Sequence, residues 1–332
     1  MISVQQCQQA FFQQKNEIHQ GIELYNIFQH LGSGNYGDVF LIQHIQSQKY
    51  YAIKILDYNK LLKENILKYA ISERNIMQKC DSPFIVKLHH SFQSENHLIM
   101  VMDYCPGGDL YSFLQKKQRF DEELAIKYLC EVLLALEELH FQDVIYRDMK
   151  PENIVRSDDG HIKLIDFGLS KENIGQGQSK TFVGSAVYMA PEIIGKKGHN
   201  KAVDWYQFGI LAYELMVGQP PFNQLNRQEL YYYIQNKEVK FPSYLSENAK
   251  NLISALLHKN PEERLGKGGS QEVKQHPFFK QINWFDIKQK IFQLPKPDLP
   301  KIVNQKIDLK QKVSKLKQEN QLQDWYYYNN EM

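Results

Sequence analysis

Tyr146-Arg147-Asp148-Met149-Lys150-Pro151-Glu152-Asn153, followed by Asp166-Phe167-Gly168, brings a carboxylate base, a lysine and two oxygen ligands for a hard cation into one stretch of chain. Any fold adopted by this sequence has to gather them, and together they are the parts that phosphoryl transfer needs. That reaction passes through a loose, charge-rich transition state, so a protein promotes it chiefly by positioning the nucleophile and neutralising charge. The segment leading into the motif reads as scaffold. Between Glu122 and His140 the residues Leu124, Tyr128, Val132, Ala135 and Leu139 recur at helical spacing, which predicts a helix with one buried apolar face.

Upstream, Gly32-Ser33-Gly34-Asn35-Tyr36-Gly37-Asp38-Val39 has the Gly-x-Gly-x-x-Gly-x-Val pattern of a loop whose missing Cβ atoms let backbone N–H groups approach phosphates. Taken alone it matches an ordinary glycine-rich hairpin equally well. The context narrows the choice. A turn follows Ile42, and Tyr51-Ala52-Ile53-Lys54 lies in an alternating apolar run that reads as a strand with Lys54 facing inward. Glu73 falls in a helical stretch predicted from Lys63 to Cys80, at a separation suited to an ion pair. Lys54 is then the residue that holds the α- and β-phosphates, and Glu73 the one that orients it.

This ordered set of motifs resembles that of the eukaryotic protein kinases. The resemblance runs from about Tyr25 to Phe279 and includes Ala190-Pro191-Glu192 and a distant Arg264, which in the family salt-bridges that glutamate. Tyr146 where most members have His, Gly184-Ser185, and His276-Pro277-Phe278-Phe279 followed by Ile282-Asn283-Trp284 are similar to the AGC group. That group includes cyclic-nucleotide-dependent, protein kinase C-like and ribosomal-protein kinases. The implied fold is α+β and bilobal: a small β-rich N-lobe with one αC helix, a larger mainly helical C-lobe, and an AGC-type C-terminal tail. In residue numbers, a Gln-rich extension covers 1–23, the N-lobe 24–102, the hinge 103–107, the C-lobe 108–279 and the tail 280–332.

Residue by residue, the resemblance implies that Asp148 accepts or orients the hydroxyl proton, Lys150 steadies the γ-phosphate, and Asn153 and Asp166 ligate Mg²⁺. Charge and hard-oxygen chemistry assign the same roles. A carboxylate with a pKa of about 4 is a poor base for a hydroxyl, so Asp148 works mainly by orientation. Lys150 is the Ser/Thr-kinase choice at its position, which makes a Ser or Thr hydroxyl the expected acceptor. The family pattern seats the adenine of ATP on Val39, Ala52 and Val155, with Met102 guarding the deeper pocket and Asp103, Tyr104 and Cys105 as hinge. Gly32, Ser33, Gly34, Gly37, Lys54, Asp109, Glu152, Asn153 and Asp166 complete the expected nucleotide site. Met77, Leu88, Tyr146 and Phe167 match the family's regulatory spine and equally read as plain core.

Regulation is expected at Thr181, in Ser179-Lys180-Thr181-Phe182-Val183-Gly184, where a phosphate adds roughly −1.5 to −2 charges. Arg147 is an unpaired cation without that phosphate on this reading, and Lys171 offers a second partner, so an upstream kinase would order the loop. Asp109, Glu152 and Glu214 fall where related kinases receive arginines that precede the target residue, and Ser185 keeps a hydroxyl that bridges Lys150 and Asp148. The expected substrates are therefore proteins with Ser or Thr near basic residues. The alternative is a pseudokinase scaffold that binds nucleotide and partners without transfer; the intact Lys54, Asp148, Asn153 and Asp166 argue against it.

With 42% hydrophobic residues and a formal net charge of +2, the chain has material for two lobes and no charge excess that demands nucleic acid. Cys7, Cys80, Cys105 and Cys130 form no Cys-x-x-Cys pair, as expected in a reducing compartment. Without a membrane-length apolar run or a signal-peptide pattern, and with Ile2 where myristoylation needs glycine, the expected protein is a cytoplasmic and also nuclear monomer without stable membrane insertion. Pro295-Lys296-Pro297-Asp298-Leu299-Pro300 reads as an extended start to the tail. Leu322 and Trp325 resemble the anchors of the hydrophobic motif that docks on the small lobe, with Tyr326 at the usual phospho-Ser/Thr position. Between them lies a lysine run, Lys301, Lys306, Lys310, Lys312, Lys315 and Lys317, that reads as a solvated linker.

Overall fold

The computed structural model describes residues 21–34, 37–172, 185–302, 307, 322 and 325–329. The chain divides into two compact units, one of 1–67, 88–104 and 301–332, the other of 68–87 and 105–300. The first is built on a sheet and the second is mainly helical, which is the α+β, two-lobed architecture expected from the motifs.

The sheet starts with β1 (Tyr25–Gly34), β2 (Gly37–His44) and β3 (Tyr50–Asp57). The alternation read at Tyr51 to Lys54 sorts the side chains as predicted. Tyr51, Ile53 and Ile55 join Tyr25, Ile27 and Ile42 in one apolar cluster, while Ala52 and Lys54 point the other way. Asp57 then caps α1 (Tyr58–Lys63) by accepting from the Lys60 N–H at 2.9 Å. The helical stretch expected from Lys63 to Cys80 forms over Leu67–Lys79 and is broken at its start. Asn65 takes φ +55°, a left-handed conformation that ends one helix, and α2 (Leu67–Lys79) starts afresh beyond it. β4 (Leu88–Gln93) and β5 (His97–Asp103) follow, with β5 paired to both β3 and β4.

In the second unit Asp109 and Asp121 cap α3 (Leu110–Lys117) and α4 (Glu122–Phe141) through the N–H groups of Ser112 and Leu124. The predicted apolar face of α4 is observed: Tyr128, Val132, Ala135 and Leu139 are buried, and Leu124, in the first turn, is half-buried. A two-stranded ribbon, β6 (Ile154–Arg156) and β7 (Ile162–Leu164), follows the motif loop. After α5 (Pro191–Ile194) comes α6 (Ala202–Val217), buried at every residue but the last. Gly218 stops it at φ +92°, where a Cβ would lie 2.1 Å from the Gln118 carbonyl oxygen. Helices α7 (Arg227–Asn236), α8 (Glu247–Leu256), α9 (Ser270–Lys274) and α10 (Trp284–Lys288) complete the unit. Arg264 makes the expected bidentate pair with Glu192, at 2.7 and 2.9 Å, and also donates to the carbonyls of Ala202 and His258.

The tail returns to the first unit. There β8 (Tyr327–Tyr328) adds antiparallel to β4, giving the order β1-β2-β3-β5-β4-β8. Trp325 is 2% exposed and its indole N–H donates to the Phe92 carbonyl at 3.0 Å; Ser91 Oγ donates to the Trp325 carbonyl. Leu322, the other expected anchor, is half-buried and engages through its N–H on Gln93 Oε1 at 3.0 Å. Residues 1–20 of the N-terminal extension and the lysines of the run beyond Lys301 lie outside the described residues. Among the described residues no helix is long and apolar enough to cross a membrane.

Two outcomes follow from this packing. Trp325→Ala removes a buried indole whose loss costs about 3–5 kcal/mol, so the Asn329 N–H, held by the His89 carbonyl, should lose about 100-fold or more of its hydrogen-exchange protection. The amides of central β5 should keep theirs. Glu192→Gln leaves the buried Arg264 guanidinium without its counter-charge and should destabilise the second unit by about 3–5 kcal/mol in denaturant titration.

Candidate active site

In the first unit, the β1–β2 hairpin carries Gly32, Ser33, Gly34 and Gly37. Only Gly37 is demanded by packing: a Cβ there would stand 2.0 Å from the Ile55 carbonyl oxygen, whereas one on Gly32 would meet nothing within 4 Å. Ser33 Oγ donates to Asp38 Oδ1 at 2.6 Å across the hairpin, with His30 Nε2 at 3.2 Å from the same oxygen. Cross-strand pairs Val39↔Lys54, Lys54↔Met100 and Ala52↔Met102 put Val39, Ala52, Lys54 and Met102 on one face of the sheet, opposite the apolar cluster. Asp103, at the end of β5, pairs with His89 Nε2 at 2.7 Å.

The second unit holds the motif loop. Lys150 Nζ lies 2.7 Å from Asp148 Oδ2, and the same oxygen accepts from Asn153 Nδ2 at 2.8 Å. Asn153 Nδ2 also donates to the Asp148 carbonyl at 2.9 Å, so the loop is closed on itself. Ser185 Oγ stands 3.5 Å from both Lys150 Nζ and Asp148 Oδ1, the bridge expected of it. Asp166 is exposed at φ +60°, with its Oδ1 accepting from the Gly168 N–H at 3.3 Å. Tyr146, where histidine is usual, still supplies a donor: its hydroxyl bonds the Ile165 carbonyl at 2.6 Å, and its ring lies 5.6 Å from that of Phe167. Burial holds that phenol well above its ordinary pKa, with Asp148 adding to the effect. Ile165 in turn donates to the Asn153 carbonyl, joining the two motifs through the backbone.

Arg147 departs from the expectation. It is 2% exposed and already engaged, since its Nε donates to the Leu169 carbonyl at 2.6 Å; it is not an unpaired cation. A buried guanidinium has to be satisfied within the protein, which is why it finds a carbonyl there. Burial pulls its pKa below the ordinary value, opposed by Asp204. Lys171 exchanges backbone hydrogen bonds with Ile145. Thr181 lies outside the described residues.

Glu73, on α2, is 5% exposed. Asp109 forms an isolated bridge with Val155 besides capping α3, and Cys105 Sγ is 4.0 Å from Ser157 Oγ. Glu152 is exposed, while Glu214 on α6 is buried and accepts from the Tyr188 hydroxyl. Desolvation lifts the Glu214 carboxyl to about 7, against the pull of the Tyr188 bond and with help from the charge of Glu152.

Asp204 was not among the expected site residues, yet it organises the loop. Its Oδ2 accepts from the Tyr146 N–H at 2.9 Å and from His140 Nε2 at 2.7 Å, and its Oδ1 from the Arg147 N–H at 2.8 Å. A signal was available: an acid inside the apolar run 202–217 has to find donors there.

A protein kinase domain model matches residues 25–279. A probable serine/threonine-protein kinase of Dictyostelium discoideum is 42% identical over 277 residues, covering 82% of this chain and 61% of that protein. The RAC-beta serine/threonine-protein kinase of Homo sapiens is 40% identical over 278 residues, 83% of this chain and 57% of its own length. The cAMP-dependent protein kinase catalytic subunit of Schizosaccharomyces pombe is 40% identical over 277 residues, 83% and 54%. The chain thus spans about three fifths or less of the length of these relatives. A match of this extent, in a chain whose folded units carry the motifs in the family's order, makes it a member of the protein kinase domain family, closely related to the AGC group of Ser/Thr kinases.

Proposed function

We propose that the chain is an ATP-dependent Ser/Thr protein kinase that transfers the γ-phosphoryl group of Mg-ATP to Ser or Thr hydroxyls in basic sequence contexts. The observation that carries this reading is the Asp148–Lys150–Asn153 cluster, with both partners within 2.8 Å of one carboxylate oxygen. In that arrangement Asp148 Oδ1, whose Ser185 Oγ neighbour stands at 3.5 Å, orients an acceptor hydroxyl and takes its proton, while Lys150 Nζ offsets negative charge beside it.

The donor set fits Mg²⁺. Asn153 spends its Nδ2 on Asp148, so its Oδ1 is the oxygen left for a cation, and the exposed Asp166 supplies a carboxylate. Two hard oxygens suit an ion that keeps waters and phosphate oxygens in its shell. When bound, Mg-ATP supplies the electrophilic phosphorus. In the first unit Gly32, Ser33, Gly34, Gly37 and Lys54 serve its phosphates, with Val39, Ala52, Met102 and the Asp103–Cys105 backbone serving its base. Val155, Asp109 and Glu152 of the second unit are assigned to the same ligand, and Glu73 to orienting Lys54.

Asp109, Glu152 and Glu214 are the proposed receivers of substrate arginines. Phosphorylation of Thr181 by an upstream kinase is the proposed activating step, with Lys171 and Arg147 as its proposed partners. Cytoplasmic residence fits this reading.

In a radiolabelled transfer assay on a Ser peptide with upstream arginines, the wild type should phosphorylate the peptide, and Asp148→Ala and Asp166→Asn should each lose at least about 100-fold in kcat. ATP binding without transfer by the wild type would sink the kinase reading. Glu214 adds a pH signature. Its carboxyl, raised to about 7, is neutral at lower pH and charged above, so it attracts an arginine only as pH rises. The kcat/KM ratio of an arginine peptide to its alanine counterpart should climb up to about tenfold from pH 6 to pH 8, and Glu214→Gln should flatten the curve.

A further inference from the structure

The side-chain partners of Asp148 account for its carboxylate but not for the backbone that carries it. Arg147, just before it, has φ +67°, a conformation that a residue with a side chain keeps only where its surroundings hold it. Asp204 satisfies the N–H groups of Tyr146 and Arg147. Three residues further along α6, on the same helix face, lies Gln207, with no exposed surface. Its Oε1 accepts from the Met149 N–H at 3.1 Å, and its Nε2 donates to the Arg147 carbonyl at 2.9 Å. The orientation of the amide follows from chemistry, because an N–H can only donate and a carbonyl can only accept. One planar side chain therefore grips the peptide groups on both sides of Asp148.

We propose that Gln207 is a positioning residue for phosphoryl transfer: by clamping the backbone before and after Asp148 it sets the direction of the carboxylate that meets the acceptor hydroxyl. The inference rests on the kinase reading and deepens it. Gln207 touches neither substrate nor nucleotide and acts through the loop. Both hydrogen bonds are needed, since a donor alone leaves the Met149 N–H buried without a partner, and an acceptor alone leaves the Arg147 carbonyl so. A carboxylate of the same shape keeps the bond to Met149 but sets a second oxygen against the Arg147 carbonyl. Protonation of that carboxyl restores the donor.

The test uses the full 332-residue chain with saturating peptide. Gln207→Leu should lower kcat by about 10- to 100-fold, as expected for a small misplacement of a reacting group, with the KM for ATP changed less than about twofold. Gln207→Glu should show a kcat, relative to wild type at each pH, that rises as pH falls from 8.5 to 6. The ionisable groups around this loop, His140, His199, Arg147, Asp148 and Asp204, are the same in both proteins, so the ratio isolates the change at position 207. Unchanged kcat in the leucine variant, or a flat ratio in the glutamate variant, overturns the proposal; the second comparison decides alone if the leucine variant does not fold. Should the wild type itself transfer nothing, the kinase reading fails separately, and amide exchange decides the clamp. Faster exchange at Met149 in Gln207→Leu, which removes the acceptor, with the Tyr146 N–H still protected by Asp204, supports it, and equal exchange at Met149 overturns it.

Discussion

A buried carboxylate bonded to backbone, that of Asp204, is the interaction on which the motif loop depends. It has no exposed surface and receives three donors, two of them the consecutive N–H groups of Tyr146 and Arg147. Charge-assisted bonds of this kind are stronger than neutral ones, and a buried carboxylate without them would be costly. The anchored backbone lets Arg147 keep a left-handed conformation and turns Asp148 toward Lys150 and Asn153. From there the order extends outward: Tyr146 reaches the Ile165 carbonyl, Ile165 reaches Asn153, and Asp166 follows in its own left-handed turn. The loop is thus held by main-chain bonds at nearly every step, and its side chains remain available for chemistry.

The first unit separates two tasks by the alternation of its strands. One face packs Tyr51, Ile53, Ile55, Ile99 and Val101 into a core against which Ile307 and Tyr326 of the tail also pack. The other presents Val39, Ala52, Lys54 and Met102. The edge of β4, which would otherwise expose a row of unpaired backbone groups, is covered by β8, with the Trp325 indole and the stacked rings of His90 and Tyr328, 4.3 Å apart, beside it. His90 is kept neutral there, since burial lowers its pKa to about 4. A tail strand of two residues therefore closes the sheet through ring packing as much as through its ladder.

Much of this was legible before the fold was known, for reasons that differ by element. The α4 face and the β3 alternation are local periodicities, and both emerged as read. The Arg264–Glu192 pair, 72 residues apart, was legible only through resemblance, because nothing local joins an arginine to one glutamate among many. The helix expected from Lys63 to Cys80 begins only at Leu67, because Asn65 tolerates the left-handed conformation and offers no apolar signal of a break. Arg147 was misread because its acceptor is a main-chain carbonyl, and a carbonyl has no signature in a sequence.

The amino-acid sequence alone determined the chemistry available to this protein: which carboxylates, amides and lysines stand together, in what order, and hence the family and the class of reaction. Side-chain identity and short-range spacing carry that information. Only the tertiary structure decided how those groups are aimed. The donors and acceptors that fix Asp148 belong to α6, more than fifty residues away along the chain, and a buried carboxylate or amide acquires its partners only when packing removes water and leaves the nearest backbone group as the alternative.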